Sequence, residues 1–291
     1  MQIILGAADP EMSRIEQLAA ACGLPVAYAT HGGERVRSYN AYQADGPIPD
    51  TSPVWTVECA IQDVVPTVRI DHHRPGDAGY GKPPKHYLPA SSIGQMLDHL
   101  ARAGYRPLPE DTPARNGDRP GLRSTGTGWV LVQTYPDGTL YRSDIPADML
   151  YTAAADHCLG AAYRGECPGV APDDLRVWRT HTRARFQRIS YTDLWERQEV
   201  AIRRLRQQPT MHIGQHAYKD ARNASIPELP EAAAILGVAV IYRMRDPQYG
   251  EKEGLLNGSP KQVQAWMHAN QDRLARIYGD PARGFAGGYV K

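Results

Sequence analysis

Arg69-Ile70-Asp71-His72-His73 sets an acid and two imidazoles side by side, directly after the apolar run Val64-Val65-Pro66-Thr67-Val68. A strand ordinarily hides or solvates such residues one at a time. Three together at the carboxyl end of a strand have the composition of the wall of a metal or phosphate site. Further acids fall at comparable places: Asp9 and Glu11 after the apolar residues 2–6, Glu58 at the end of the apolar run that starts at Val54, and Asp156 in Ala153-Ala154-Ala155-Asp156-His157. Each has a plain structural alternative. Asp9 could cap a helix, Glu58 could be met by a hydrogen bond, and Asp156 could pair with Arg164. One shared cation accounts for all of them together.

These residues need elements to hold them. Gln2–Gly6 reads as a strand, Ser13–Ala21 as a helix with Ile15, Leu18, Ala19 and Cys22 apolar, and Pro25–Thr30 as a second strand, a β-α-β opening. Val54–Ile61 and Thr67–Ile70 supply two more strands, whose nearly continuous apolar character suits a parallel sheet covered on both faces. Ligands of such sheets collect outside the carboxyl ends of the strands. A helix is expected over Ser91–Ala103 and a surface loop over Pro107–Arg123. Tyr135-Pro136-Asp137-Gly138 is a turn signal between Trp129–Val132 and Thr139–Arg142, an inserted β-hairpin, and a small-residue helix follows over Met149–Tyr163. Beyond a charged helix over Ser190–Gln208, the pattern predicts a helix at Ala232–Leu236, a strand at Val238–Met244, a helix at Lys261–Tyr278 and a glycine-rich tail from Arg283 to Tyr289. The predicted fold class is α/β: a catalytic parallel-sheet domain with an inserted β-hairpin over 1–189, a connecting helix over 190–208, and a smaller α/β substrate-binding domain over 209–291.

Composition narrows the function classes. At 291 residues the chain can bury a sizeable core. Lys and Arg number 33 against 32 Asp and Glu, so no global field would gather long duplex nucleic acid, and a nucleic-acid substrate is expected to be short. Cys22, Cys59, Cys158 and Cys167 lack CxxC spacing and lie in or beside apolar segments, which favours reduced thiols in a cytoplasmic protein. There is no signal-peptide layout at the N-terminus and no apolar run of bilayer-spanning length, so no membrane partner is expected. The sequence leaves a homodimer open.

The order of these motifs resembles the DHH phosphoesterase superfamily, in which RecJ-type exonucleases, oligoribonucleases, cyclic-dinucleotide phosphodiesterases and manganese-dependent pyrophosphatases are found. The naming triplet is intact at Asp71-His72-His73; Asp9-Pro10-Glu11, Glu58, the helix start Ala90–Leu97 and Asp156 follow the family order across nearly the whole chain. Three departures stand out: Leu5 replaces a family histidine, and Glu11 and Glu58 replace aspartates. The resemblance implies a DHH-type first domain and a DHH-associated second one. It implies metal ligation by Asp9, Glu11, Glu58, His72 and Asp156, with the better preserved position formed by Glu11, Glu58, His72 and Asp156. It also implies catalytic roles for Asp71, His72 and His73, with His73 on a phosphate oxygen and Asp71 orienting an imidazole. Substrate contacts are expected from His73, Arg74, Arg164, Arg283, Gly287 and Gly288, and Tyr39, Tyr42 and Tyr80 could stack on a base.

Oxygen donors with one imidazole suit Mn²⁺ (or Mg²⁺) better than zinc, as one or two ions. The activity implied is hydrolysis of a phosphodiester or phosphomonoester in a nucleotide, cyclic dinucleotide or short oligonucleotide by metal-activated water. The alternative, motivated by Leu5 and the two glutamates, is a nucleotide-binding or sequestering protein with a degenerate metal site. A third reading makes the triplet accidental and the chain a small-molecule α/β enzyme of another kind.

Overall fold

Ile3, Ile4 and Leu5 are completely buried because the strand that carries them, β1 (Gln2–Leu5), lies inside a parallel sheet. In this computed structural model, which describes every residue except 51, 110–111 and 247–248, the sheet contains β1, β2 (Val26–Tyr28), β3 (Val54–Val57) and β4 (Val68–Ile70) in the order β2-β1-β3-β4. The registers Leu5↔Val57 and Val57↔Ile70 align the carboxyl ends of the last three strands. The order reverses between β1 and β3, the switch point at which open α/β sheets place ligands. Helix α1 (Pro10–Ala21) follows β1 and buries Ile15, Leu18 and Ala19 as its spacing predicts; it starts three residues earlier than expected, burying Met12 as well, and Cys22 is its partly buried C-cap. Helix α2 (Ser92–Arg102) follows β4, with Ile93, Met96, Leu97 and Leu100 buried.

The predicted hairpin is present and belongs to a larger element. Residues 107–123, read as a surface loop, contain two short strands, β5 (Thr112–Pro113) and β6 (Gly121–Ser124); positions 110 and 111 of that stretch lie outside the described residues. With β7 (Trp129–Thr134) and β8 (Leu140–Asp144) they form an antiparallel sheet in the order β5-β8-β7-β6, and α2 packs against β6 and β7. Helix α3 (Ala147–Tyr163) breaks at Cys158, whose φ of −156° and ψ of 56° are not helical.

Contacts divide the chain into two compact units, one of Met1–Tyr80 and His86–His157, the other of Gly81–Lys85 and Cys158–Lys291. The division falls at the break in α3, whereas the sequence places a boundary after residue 189 and a connecting helix over 190–208. That helix is α5 (Tyr191–Gln207), preceded by α4 (Pro172–Gln187), and both lie in the second unit. Charge on the exposed faces of α5 suggested a linker, but Ala201, Ile202 and Leu205 form a core with Ala221, Leu229, Ala232, Ala233 and Val240. The second unit also contains β9 (Thr210–Ile213), β10 (His216–Ala221), α6 (Leu229–Leu236), β11 (Val240–Asp246), β12 (Gly250–Leu256), α7 (Pro260–Ala269), β13 (Leu274–Asp280) and β14 (Phe285–Val290). They build a mixed six-stranded sheet in the order β9-β10-β11-β12-β14-β13.

The helix expected over Lys261–Tyr278 ends at Ala269. Asn270 closes it by donating to Trp266 O at 2.7 Å, and the rest becomes edge strand β13, paired with β14 from Leu274↔Val290 onward. Among the described residues no helix is long and apolar enough to cross a membrane.

Candidate metal centre

At the end of β1, Gly6 N donates to Val57 O at 2.9 Å, and a Cβ on Gly6 would come within 2.5 Å of Glu58 O. This close approach brings the acids that follow β1 and β3 together. Glu58 takes a left-handed backbone (φ 49°), which ends the strand and turns its side chain out of the strand's alternation. Pro10 opens α1 and Asp9 is its N-cap, with Oδ1 accepting from Met12 N at 2.7 Å. Glu11, in the first turn, faces inward and is buried.

Helix α2 meets these acids with its amino end. Ser91 caps it, accepting from Gly94 N at 3.1 Å. Ile93 N donates to Glu11 Oε1 at 2.9 Å, and Ser92 Oγ donates to Glu58 Oε1 at 2.7 Å. The unsatisfied N–H groups and positive dipole end of a helix offset part of the cost of burying carboxylates there. Gln95, one turn on, accepts from Asp71 N at 3.2 Å and donates to Asp71 O at 2.9 Å, fastening the triplet to the helix. Behind the triplet the loop folds back at Gly79, where a Cβ would lie 1.9 Å from Ala90 O and 2.6 Å from the His72 Cβ.

Glu11, Glu58, His72 and Asp156 each offer one ligand atom, and these atoms lie within 4.8 Å of one another. Asp156 Oδ2 is 2.9 Å from His72 Nε2, and Glu58 Oε1 is 3.9 Å from it. Two ligands about 2.1 Å from a common ion stand at most about 4.2 Å apart, so the set closes on one cation by shifts of a few tenths of an ångström. Glu11 Oε2 is buried with no hydrogen-bond partner among the described residues, although its sister oxygen has one. A buried carboxylate oxygen left bare is costly, and a cation beside it removes that cost.

The electrostatics agree with the fit. Burial, together with the Asp156 and Glu58 charges, holds Glu11 well above the usual carboxylate range. Burial pushes Glu58 up to about 8, with Asp156 and Asp9 adding to the shift against an opposing effect of His73, and burial beside Asp156 pushes Asp9 up to about 6. These acids resist ionising together unless positive charge is supplied. Asp71 behaves oppositely. Burial works against its ionisation, but hydrogen bonds from the His73 ring and backbone N–H, and from Tyr42, outweigh it and bring Asp71 down to about 2.

Asp71 is the pivot of the triplet. It accepts from the Tyr42 hydroxyl on both oxygens (3.0 and 2.9 Å), from His72 N at 2.8 Å and from His73 N at 3.0 Å, and its Oδ1 is 3.2 Å from His73 Nδ1. The two imidazoles lie against each other with ring centroids 4.3 Å apart. Glu58, His72 and His73 form a second group of converging donors, but it draws on the same His72. Arg74 lies over the Tyr42 ring, its guanidinium carbon 3.3 Å from the centroid.

Of the residues singled out from sequence, the fold gathers Glu11, Glu58, His72 and Asp156, with Asp71, His73 and Arg74 adjoining. Asp9 stands beside the set as a helix cap. Arg164, Arg283, Gly287 and Gly288 belong to the second unit. There Arg164 grips Glu166 through Nε at 2.6 Å and reaches Asn257, Gly287 and Gly288 are interior residues of β14, and Arg283 lies over Phe285. The glycine-rich tail is therefore a strand, with Gly287 against the Tyr278 ring. Sequence reasoning passed over Ser92, Gln95, the Tyr42–Asp71 contact and His157, whose ring meets that of His72 edge-on at 5.4 Å. Two serines before an apolar helix were a signal for the first of these; for the others the chain carries no local sign.

No family model matches this chain, and no curated protein matches it. Among solved structures, the pGpG-specific phosphodiesterase PggH from Vibrio cholerae is similar at 10% sequence identity, over 99% of this chain and 92% of that one, with a TM-score of 0.42. The chemistry of the site follows from its own donors.

Proposed function

We propose that the protein is a metal-dependent phosphoesterase that hydrolyses a phosphodiester or phosphomonoester of a nucleotide, cyclic dinucleotide or short oligonucleotide. The observation that carries this reading is the convergence of Glu11, Glu58, His72 and Asp156 at the carboxyl edge of the parallel sheet, with a bare buried oxygen on Glu11. The donor set, three carboxylates and one imidazole, suits Mn²⁺ or Mg²⁺. When bound, such a cation lowers the pKa of a coordinated water and neutralises charge on a phosphoryl group under attack.

The chain's own residues do the rest. His73, half-exposed and held at Nδ1 by Asp71, contacts a phosphate oxygen. Asp71 stays ionised and fixes the direction of that ring, and the Tyr42 hydroxyl holds Asp71 in turn. Arg74, stacked on Tyr42, adds a guanidinium suited to phosphate. Ser92 and Ile93 N hold the two glutamates in position.

With Asp9 engaged as a helix cap, the carboxylates suffice for one cation, which also favours a second reading: a protein that binds nucleotide without turning it over. A manganese titration against a panel of nucleoside phosphates, cyclic dinucleotides and dinucleotides separates the two. Hydrolysis that requires metal and vanishes in His72→Ala supports the enzyme. Saturable nucleotide binding with no product supports the binder, and neither hydrolysis nor binding at any metal concentration defeats both.

A further inference from the structure

Cys158 and Cys167 place their sulfurs 3.4 Å apart, and both side chains are buried, 3% and 2% exposed. An isolated buried cysteine behaves as a small apolar residue; two thiols in contact across nine positions of chain are a different object. Cys158 is the residue at which α3 leaves helical geometry. The segment after the helix folds back on its last turns, with Gly165 N donating to Ala162 O at 3.1 Å and Glu166 N to Ala161 O at 3.0 Å, and this brings Cys167 beside the break. Cys59 instead directs its sulfur to Ile4 O at 3.6 Å, and Cys22 is only partly buried. An S–S bond is about 2.05 Å long, so closure needs a relative movement of about 1.4 Å, taken up where the helix is already broken.

We propose that Cys158 and Cys167 form a reversible redox site, a dithiol that a peroxide converts to a disulfide clasping the fold-back segment to the end of α3. One sulfur attacks a peroxide oxygen, and the departing hydroxide takes up the thiol proton as water. The sulfenic acid so formed is displaced by the second thiol, creating the S–S bond and releasing a second water. Two thiols and one hydrogen peroxide thus give one disulfide and two waters, the thiols losing two electrons to the peroxide. Burial of both sulfurs selects a small oxidant over bulky disulfides.

The folded full-length protein is treated with hydrogen peroxide, unfolded, and its remaining thiols are alkylated and mapped by tryptic digestion, which cuts after Arg164 and so separates the two cysteine peptides unless they are joined. The expected result is a fall from four free thiols to two, a Cys158–Cys167 cross-linked peptide, and full recovery with dithiothreitol. In Cys167→Ser the cross-link is absent and Cys158 is trapped as sulfenic acid by dimedone. Should that variant not fold, the wild-type map decides by itself. Four thiols surviving, a cross-link joining any other pair, or irreversible oxidation without a bond overturns the proposal.

Discussion

Glu58→Gln stabilises the fold without a divalent cation and loses that advantage when one is bound. In the metal-free protein, burial pushes the Glu58 pKa up to about 8 from an ordinary 4.5. A carboxyl raised in the folded state contributes stability that is fully present below its unfolded pKa and is lost as pH rises through the folded one. The window of loss therefore runs from 4.5 to about 8. Near pH 7.5 about three of those units have been traversed, so the carboxyl costs the metal-free fold on the order of 4 kcal/mol. Glutamine keeps the shape and still accepts from Ser92, but its buried amide N–H groups take back about 1–2 kcal/mol. The net gain, about 2–3 kcal/mol, raises the melting temperature of a chain of this size by roughly 5–10 °C. With manganese at about a hundred times its dissociation constant, the wild type gains about 2.7 kcal/mol, and the variant gains almost nothing. Scanning calorimetry of both proteins, with chelator and with Mn²⁺, near pH 5 and pH 7.5, reads all four quantities. A variant that melts lower than wild type in chelator near pH 7.5, and keeps the manganese-induced shift, refutes the reasoning.

Three further outcomes are expected. Tyr42→Phe removes the hydroxyl that Asp71 accepts on both oxygens; urea unfolding should show a loss of about 1.5–3 kcal/mol, the range for hydrogen bonds to charged groups, and any phosphoesterase activity should fall in kcat more than in KM. In the second unit, burial opposes ionising Glu231, but Arg179 (2.8 Å), the Tyr163 hydroxyl and Arg183 outweigh it and hold its pKa below the usual value. A depressed carboxyl adds stability above its unfolded pKa and loses it as pH falls through the folded one, so acid unfolding below about pH 4.5 should flatten in Glu231→Gln, at a cost near pH 7 of about 3 kcal/mol by chemical denaturation. Gly79→Ala places a methyl 1.9 Å from Ala90 O; overpacking of this kind costs about 1–3 kcal/mol, and because the same methyl presses on His72, manganese affinity by calorimetry should fall even where the far-ultraviolet circular dichroism is unchanged.

Much of the first unit was legible in the chain. Near-continuous apolar runs at Gln2–Leu5 and Val54–Val57 are what strands buried on both faces require, and with the edge strand Val68–Ile70, whose Arg69 is exposed, they became neighbours in a parallel sheet. The helices expected to start at Ser91 and Ser190 do begin there, and the structure makes each serine the cap, its side chain accepting from the backbone three residues on. The second unit was harder because its elements are decided by pairing and packing and not by their own periodicity. β13 has residues that would serve a helix, yet pairing with β14 claims them, and α4 buries only Leu175, Thr180 and Ala184 among the core positions of its mostly polar length.

The sequence by itself determined which residues could do chemistry and that Asp9, Glu58 and the triplet Asp71-His72-His73 follow strand ends, because an acid or imidazole after an apolar run emerges at the rim of the sheet. Only the tertiary structure decided which of them meet. Asp9 turned to its own helix, Arg164 to Glu166 and Gly287 to the interior of a strand, while Asp156, 84 positions after His72 in the chain, came within 2.9 Å of it. Local sequence sets a backbone direction and a side-chain type. Distances of a few ångströms between remote residues come from the packing of α2 at the sheet edge and from the approach of Asp156 to His72, which no stretch of the chain specifies alone.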